Sequence, residues 1–196
     1  MIVALTGGIG SGKSTIVSFF SEFKNVAIFI ADEEAKKLMN SSEELKSKII
    51  KEFGENAYQN NKLDRKFIAE IVFKNKSKLA ILNSFVHPAV AKHFQEFVKN
   101  NSNQDYILYE SAIVFEHNSD NFFEYIIVVT APIEIRIKRV VKRDNTTEDE
   151  VLQRMKNQWR EEKKILQANY VINNIEIEES KNVVKKIHNI LTQKAI

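Results

Sequence analysis

The chain has 196 residues, a formal net charge of +3, 28% charged residues and no cysteine. The missing cysteine excludes a disulfide scaffold and thiolate metal sites, and the mixed charge differs from the polybasic segments that bind nucleic acid. No apolar run approaches the roughly 20 residues of a membrane span, and the first predicted strand begins at residue 2, so we expect no signal peptide. We therefore expect a cytoplasmic protein without nucleic-acid, membrane or obligate protein partners, of a length that suits a single domain.

The first predicted elements are a strand and a helix joined by a glycine-rich loop. Residues 2–5 are apolar, and residues 14–23 place their apolar side chains mainly on one face of a helix. Between them, residues 7–14 match G-x-x-x-x-G-K-[ST], the pattern of a phosphate-binding loop (P-loop). Glycine allows the backbone N–H groups to converge on phosphate oxygens. The predicted nucleotide contacts are Gly8, Ile9, Gly10, Ser11, Gly12, Lys13, Ser14 and Thr15.

Two side chains of this loop have separate predicted roles. Lys13 neutralises the β- and γ-phosphates of the nucleotide, and the hydroxyl of Ser14 is a ligand for Mg²⁺. The positive end of the following helix adds to the attraction for phosphate. The loop therefore predicts a nucleotide-binding site that works with a magnesium ion.

The second predicted strand, residues 26–31, ends at an aspartate. A carboxylate near the γ-phosphate can orient an alcohol acceptor and take its proton, whereas a phosphate acceptor needs no base. Asp32 therefore favours an alcohol as the phosphoryl acceptor. The alternative is that Asp32 is only the N-cap of a helix over residues 33–39.

A long helical region is predicted from residue 33 to about residue 101. Gly54 is expected to end one helix, Asp64 to cap the next, and His87-Pro88 to interrupt or kink a third. Residues 61–64 match N-K-x-D, the guanine-reading signature of GTPases, but they follow a polar stretch rather than a late strand, so we interpret the match as a coincidence. The region is longer than a simple crossover needs and predicts a separate acceptor-binding lobe.

The third and fourth predicted strands are residues 106–109 and 125–130. Glu110 ends the third strand, where P-loop enzymes often hold Mg²⁺ through an acidic residue. A salt-bridged strand end is the alternative for Glu110, and Glu116 is a weaker metal candidate of the same kind.

Basic residues are concentrated in residues 136–143, where five of the eight are lysine or arginine. Arg136, Arg139 and Arg143 share one face at helical spacing, and a phosphoryl transition state carries negative charge that such a face could cover as a mobile lid. A solvated surface stripe is the alternative. Thr147 and Glu150 form a predicted capping box for a helix that runs to about residue 167.

A fifth short strand, residues 170–172, and an amphipathic helix, residues 178–191, close the chain. Strands that alternate with helices predict a three-layer α/β/α fold with a five-stranded parallel sheet, and ligands bind at the carboxyl ends of such strands. We predict a single domain over residues 1–196. Its predicted parts are a core of about residues 1–32, 102–135 and 168–196, a helical acceptor-binding lobe of about 33–101 and a helical lid of about 136–167.

Further motifs occur in a fixed order along the chain. T-G-G-I-G-S-G-K-S is followed by Ala31-Asp32, then by His87-Pro88, then by a segment from Glu110 to Glu116. The lid region has Lys138-Arg139, Arg143-Asp144 and Gln158, and the chain near its end has A-N-Y-V-I-N-N-I-E at residues 168–176. This ordered set resembles the dephospho-coenzyme A kinase family nearly from end to end. Asn169 and Glu176 replace an aspartate and a glycine of the family pattern.

The resemblance implies a P-loop NTPase fold and ATP-dependent phosphorylation of the ribose 3′-hydroxyl of dephospho-CoA, giving CoA and ADP, with Mg²⁺ as the cofactor. It implies Asp32 as the base, with Lys13, Arg139 and Arg143 as further catalytic residues. Asn174 would join the ATP contacts, His87 and Asp32 would contact the acceptor, and Ser14 and Glu110 would hold the metal. The alternatives are another small P-loop kinase, acting on a nucleoside monophosphate or a metabolite alcohol, and a nucleotide-dependent regulatory binding module.

Overall fold

The computed structural model describes residues 1–116 and 119–195, and its larger sheet has five strands. The strands, in chain order, are β1 (Ile2–Gly7), β2 (Val26–Ile30), β3 (Tyr58–Gln59), β4 (Lys62–Leu63), β5 (Tyr106–Glu110), β6 (Tyr125–Thr130) and β7 (Tyr170–Asn173). The sheet has the order β2-β5-β1-β6-β7, and β1 is parallel to β5 and β6, as β6 is to β7. The predicted α/β fold with a five-stranded parallel sheet is confirmed.

Helices occupy most of the remaining chain. They are α1 (Lys13–Phe20), α2 (Ala31–Ser41), α3 (Glu43–Phe53), α4 (Arg65–Lys74), α5 (Lys76–Asn100), α6 (Ile133–Asp144), α7 (Glu148–Met155), α8 (Glu161–Leu166) and α9 (Ile177–Lys194). In the part of the chain that the structure describes, no helix combines the length and the apolar character that crossing a bilayer requires.

The chain divides into two compact units. The first comprises Met1–Phe29 and Asn101–Ile196, and it contains the sheet apart from the last residue of β2. The second comprises Ile30–Asn100, and it contains α2 to α5 and the β3-β4 hairpin. That the second unit binds the acceptor, and that α6 to α8 act as a lid, stay predictions.

The core of the first unit lies along its central strands. Val3, Ala4 and Leu5 of β1 have no exposed surface, and Ile127 and Val128 of β6 are equally buried. A parallel strand that is covered on both faces needs an uninterrupted apolar run rather than alternation. This requirement explains why both strands are visible in the sequence as short apolar runs.

Local signals at two helix ends of the second unit are confirmed. Gly54 ends α3 with a φ of 88°, a backbone angle that favours glycine. The Asp64 side chain accepts a hydrogen bond from the Phe67 N–H at 2.9 Å and caps α4. Both features depend on residues close in sequence, which is why they can be predicted.

The N-K-x-D match is part of a β-hairpin that the sequence analysis missed. Asn60 and Asn61 connect β3 to β4 with φ angles of 49° and 65°, the positive values that a two-residue hairpin turn requires. The Asn61 side chain accepts a hydrogen bond from Lys46 Nζ at 2.6 Å. These residues have structural roles, in agreement with the interpretation of the motif as a coincidence.

The prediction that His87-Pro88 interrupts a helix is wrong, because α5 continues through Pro88 to Asn100, while the alternative of a kink stays a prediction. A proline inside a helix removes one backbone hydrogen bond and costs about 3 kcal/mol. Leu82, Val86 and Val90 are buried at four-residue spacing on either side of it. Burial of this stripe offsets the cost of the proline.

The predicted helix from the Thr147 capping box to residue 167 is also wrong in part. The capping box is confirmed, since Thr147 and Glu150 each accept a hydrogen bond from the other's N–H at 3.3 Å. The helix ends at Met155, however, and α8 begins only at Glu161. The N–H groups of Asn157 and Gln158 donate to carbonyls only three residues back, so the α-helical pattern is lost there, and the Trp159 N–H donates to the Glu116 carboxylate at 2.8 Å.

A buried histidine of α9 packs against the first residue of β5. His188 is 8% exposed, its ring stacks on Phe23 with centroids 3.7 Å apart, and its Nδ1 lies 2.9 Å from the Tyr106 hydroxyl. Burial lowers the pKa of His188 below its ordinary value of 6.5, although the nearby charge of Asp105 opposes this change. Burial also raises the pKa of the Tyr106 hydroxyl, so both groups are neutral at physiological pH.

We expect the stability of the protein to fall as the pH drops below 6.5, the ordinary pKa of histidine. In that range the unfolded chain binds a proton at residue 188 that the folded protein resists, and the loss is complete once the pH passes below the folded pKa. Urea unfolding at about pH 7.5 and about pH 5.5 measures the change, and His188→Gln should show a smaller one. An equal pH dependence in both proteins would contradict this expectation.

Candidate active site

The P-loop connects β1 to α1, and two of its glycines have left-handed backbone angles. Gly10 has a φ of 79°, and Gly12, the N-cap of α1, has a φ of 90°. A Cβ atom at Gly12 would also overlap the amide nitrogen of Asn174. Glycine is therefore needed at position 12 both for the backbone angle and for the close approach of a neighbouring side chain.

Lys13 is the first residue of α1, and its ammonium group reaches back to the start of the loop, next to the end of β5. Its Nζ donates to the Gly7 carbonyl at 3.1 Å and is 3.8 Å from Glu110 Oε1. Parallel pairing places Leu5 beside Glu110, so the carboxyl ends of β1 and β5 bring the two charges together. The structure supports the alternative of a salt-bridged strand end for Glu110, while its role as a metal ligand stays a prediction.

The predicted metal ligands are hard oxygen donors, as Mg²⁺ prefers. Ser14 is exposed in the first turn of α1, and the Glu110 side chain is 12% exposed. Within residues 1–116 and 119–195, no group of three or more histidine, cysteine or acidic side chains could hold a metal. Mg²⁺ in phosphoryl-transfer sites usually needs only one or two protein ligands, because water and the phosphates supply the others. The donor set therefore fits a magnesium ion that arrives with a nucleotide.

Arg136 of α6 contacts the P-loop directly, although the sequence analysis named it only as a member of the arginine cluster. Its Nε donates to the Ile9 carbonyl at 2.9 Å, and its Nη1 forms an ion pair with Glu161 at 2.8 Å. Its guanidinium lies where a Cβ atom of Gly8 would be, and the residue is 7% exposed. Helical spacing groups Arg136 with Arg139 and Arg143, but no sequence signal singles it out.

Arg139 and Asn174 meet beneath the same loop. Arg139 donates from Nη2 to the Asn174 carbonyl at 3.0 Å and from Nη1 to the Ser11 carbonyl at 3.4 Å. Asn174 is 3% exposed, and its Nδ2 donates to the Ser11 carbonyl at 2.9 Å. Ser180 of α9 donates to Asn174 Oδ1 at 3.1 Å, a contact that no sequence signal indicated. Asn174 therefore binds the loop at Ser11 and also accepts a hydrogen bond from Arg139.

Arg143 is not brought to the loop by any hydrogen bond in the described part of the chain. Its guanidinium forms two bonds to the neighbouring Asp144, at 2.7 and 3.1 Å, and Arg154 of α7 donates to the same carboxylate at 2.7 Å. The hydrogen bonds from Arg143, followed by those from Arg154, lower the pKa of Asp144 to about 2. The Asp144 carboxylate links α6 to α7 through Arg154, and the catalytic role of Arg143 stays a prediction.

Asp32 and His87 belong to the second unit. Asp32 is exposed in the first turn of α2, which begins at Ala31 with Ile30 as its N-cap and without a capping side chain. The alternative interpretation of Asp32 as the N-cap is therefore wrong, because the helix begins one residue before it. His87 is exposed on α5. The catalytic role of Asp32 and the acceptor contact of His87 stay predictions.

Two departures from the family pattern have simple structural consequences. Asn169 exchanges hydrogen bonds with β6, donating to the Ile126 carbonyl at 2.9 Å and accepting from the Ile126 N–H through Oδ1 at 2.7 Å. Its amide supplies the acceptor oxygen that an aspartate would offer. Glu176 has a φ of −96°, which any residue adopts, so the backbone does not need glycine there.

The family model for dephospho-CoA kinase matches residues 1–179 of this chain. The chain belongs to the dephospho-CoA kinase family. The dephospho-CoA kinase of Chlorobaculum tepidum is 37% identical to it over 196 aligned residues, covering 96% of this chain and 93% of that protein. The resemblance derived from the motifs is confirmed, and the protein is a kinase of this family.

Solved structures agree with the fold. The crystal structure of TT1252 from Thermus thermophilus superposes with a TM-score of 0.86 and 27% identity, covering 97% of this chain and 96% of that one. A dephospho-CoA kinase from Campylobacter jejuni superposes with a TM-score of 0.67 and 24% identity, covering 98% of this chain and 97% of that chain. The P-loop, Lys13 and the α6 arginines therefore lie in the fold of a P-loop kinase, a class that uses ATP and generally needs a divalent metal.

Proposed function

We propose that the protein transfers the γ-phosphoryl group of ATP to the ribose 3′-hydroxyl of dephospho-CoA, giving CoA and ADP. The observation that carries the proposal is the junction of Lys13, Glu110 and Arg139 around a glycine-rich loop in a chain of this family. The backbone N–H groups of residues 8–15 would bind the phosphates of ATP, apart from those of Ile9, Ser11 and Thr15, which donate within the protein. Asn174 would support this binding through its hydrogen bond to the Ser11 carbonyl.

The proposed reaction is an in-line displacement at the γ-phosphorus. The 3′-oxygen forms a bond to phosphorus while the bond to the β-γ bridging oxygen breaks, and ADP leaves. Asp32 takes the proton of the attacking hydroxyl, and Lys13, Arg139 and Arg143 offset the charge on the transferred group. Ser14 and Glu110 would hold Mg²⁺, which supplies charge neutralisation of the β- and γ-phosphates.

The acceptor is proposed to bind through the second unit, with Asp32 and His87 among its contacts. A cleft of about 370 Å³ lies between α2, α3 and α5 of this unit, and both apolar and charged residues line it. Leu38, Leu45 and Phe85 contribute apolar surface, whereas Lys48 and Lys92 are accompanied by Glu44 and Glu96, and Lys48 pairs with Glu44 at 2.6 Å. The apolar part of this lining suits an acceptor with a long apolar arm.

An assay of acceptor-dependent ADP release tests the proposed function. The acceptors are dephospho-CoA, AMP, shikimate, gluconate and none, each with ATP and Mg²⁺. We expect dephospho-CoA alone to stimulate ADP release strongly. Stimulation by AMP, shikimate or gluconate instead would identify another small P-loop kinase, and tight nucleotide binding without any acceptor-dependent release would favour a regulatory binding module.

Replacing Asp32 with asparagine is expected to lower kcat by about 10² or more while leaving ATP binding near normal, because only a general base is removed. The matched control is Glu33→Gln, which neutralises the adjacent exposed carboxylate of the same helical turn. Steady-state kinetics and ATP titration calorimetry give the two readouts. Turnover of Asp32→Asn close to that of the unmodified protein would remove Asp32 as the base.

A further inference from the structure

Ile9 of the P-loop is held by the segment α6 to α8 at three points. Its side chain packs against a buried cluster formed by Ile137, Val140 and Val151. Its carbonyl accepts a hydrogen bond from Arg136, and its N–H donates to Gln158 Oε1 at 2.8 Å. Both backbone polar groups of one loop residue are thus bonded to side chains more than a hundred residues away, which fixes where this end of the loop can lie.

The orientation of the Gln158 amide follows from its partner. A backbone N–H can only donate, so the oxygen of the side-chain amide must face Ile9 and the NH₂ group must point the other way. Gln158 is partly exposed. Within residues 1–116 and 119–195, its Nε2 makes no hydrogen bond, so the two donors of the amide are available to a ligand.

The backbone that follows Gln158 is firmly attached. The next residue, Trp159, donates its N–H to Glu116, and its ring stacks on Phe115 with centroids 5.5 Å apart. Glu116 forms an ion pair with Lys164 at 2.7 Å, and Lys164 is 1% exposed. These contacts hold Gln158 against the loop at the point where the predicted single helix is broken.

The position of Lys13 indicates which phosphate groups of ATP would lie near Ile9. The lysine of a P-loop reaches the β- and γ-phosphates, and here its Nζ lies at the Gly7 carbonyl, two residues before Ile9. Arg136 also reaches this end, but its charge is already paired with Glu161. Gln158 is the neighbour whose donors remain available there.

We propose that Gln158 donates a hydrogen bond from Nε2 to the terminal phosphate of ATP while its Oε1 stays bonded to the Ile9 N–H. The inference rests on the proposed use of ATP as the phosphoryl donor, and not on the identity of the acceptor. It assigns Gln158 a substrate contact that distinguishes ATP from ADP, because ADP lacks the group that the amide would reach.

Titration calorimetry with ATP and with ADP, in the presence of Mg²⁺ and without any acceptor, tests this contact. We expect Gln158→Leu to weaken ATP binding about 10- to 100-fold, as loss of a hydrogen bond to a charged group does, and to weaken ADP binding clearly less, because ADP loses only the support that Gln158 gives to the loop. Gln158→Glu keeps an oxygen for the Ile9 N–H but replaces the donor with a negative charge, so it should also weaken ATP binding selectively. Gln153→Leu, at an exposed glutamine of α7, is the matched control and should change neither affinity.

Equal weakening of ATP and ADP, or unchanged ATP binding in both Gln158 variants, would overturn the inference. Equal weakening would assign Gln158 only to the support of the loop. Should Gln158→Leu fail to fold, the ATP-to-ADP affinity ratio of Gln158→Glu decides the matter. The proposed function fails on the acceptor assay and this inference fails on the affinity ratio, so the two failures are distinguishable.

Discussion

Replacing Lys13 with alanine is expected to abolish phosphoryl transfer, lowering kcat/KM by about 10³-fold or more. The ammonium group lies at the start of the P-loop, 3.8 Å from Glu110 Oε1. Without it, the β- and γ-phosphates lose their nearest positive charge, and the Glu110 carboxylate faces them without compensation from Lys13. Arg136 and Arg139 already bind Glu161 and backbone carbonyls, so neither can take its place without breaking those contacts.

The rate of ADP release with dephospho-CoA and ATP measures this effect. Lys24→Ala removes an exposed lysine of the same unit and should leave the rate unchanged. Lys13→Arg keeps the charge but not its position, and we expect an intermediate rate. A Lys13→Ala protein that folds normally and retains a rate within about tenfold of the unmodified protein would contradict the assignment of Lys13.

Replacing Glu116 with glutamine is expected to lower the free energy of unfolding by about 3–5 kcal/mol, because it leaves the buried ammonium of Lys164 without its counter-charge. Lys164 is 1% exposed, 2.7 Å from Glu116 Oε1, and it donates to the Ala112 carbonyl at 3.2 Å. The neutral carbonyl of Ala112 cannot compensate the buried charge of Lys164 as the Glu116 carboxylate does. The double variant Glu116→Gln with Lys164→Met should recover most of the loss, since glutamine can still accept from the Trp159 N–H.

Urea unfolding of the single and double variants gives the free energies. Lys163→Met is the matched control, because Lys163 is the exposed neighbour of Lys164. Its Nζ lies 3.3 Å from the centroid of the Trp159 ring, a contact worth about 0.5–1 kcal/mol at an exposed site. A Glu116→Gln variant that loses no more stability than this control would show that the ion pair is not a principal support of the segment.

The features that the sequence predicted correctly depend on residues close together in the chain. The strands are short apolar runs because the central ones are buried on both faces, and the P-loop is a contiguous pattern with glycines at the bends. The caps at Asp64 and Thr147 each join groups three residues apart. Such features can be predicted from a single sequence because the interacting residues are neighbours in the chain.

The errors arose where a distant residue or a packed surface decided the local structure. The chain after α7 does not return to a helix at Trp159, because the Trp159 N–H donates to Glu116, a partner 43 residues away. The helix at Pro88 continues because the buried stripe around it offsets one lost hydrogen bond. The hairpin at Asn60 and Asn61 was missed because its strands are only two residues long.

By itself the sequence determined the family, the parallel sheet and the phosphate-binding loop, since the loop, each motif and each strand is a short contiguous run and the order of these runs along the chain is visible. Only the tertiary structure decided which side chains contact that loop. Arg136, Arg139 and Gln158 donate to or accept from its backbone, whereas the hydrogen bonds of Arg143 go to Asp144. Helical spacing places the three arginines on one face without distinguishing them. The distinction comes from the packing of Ile9 against α6 and α7 and from the early end of α7, because burial and distant hydrogen bonds, rather than local propensity, set the distances between these groups.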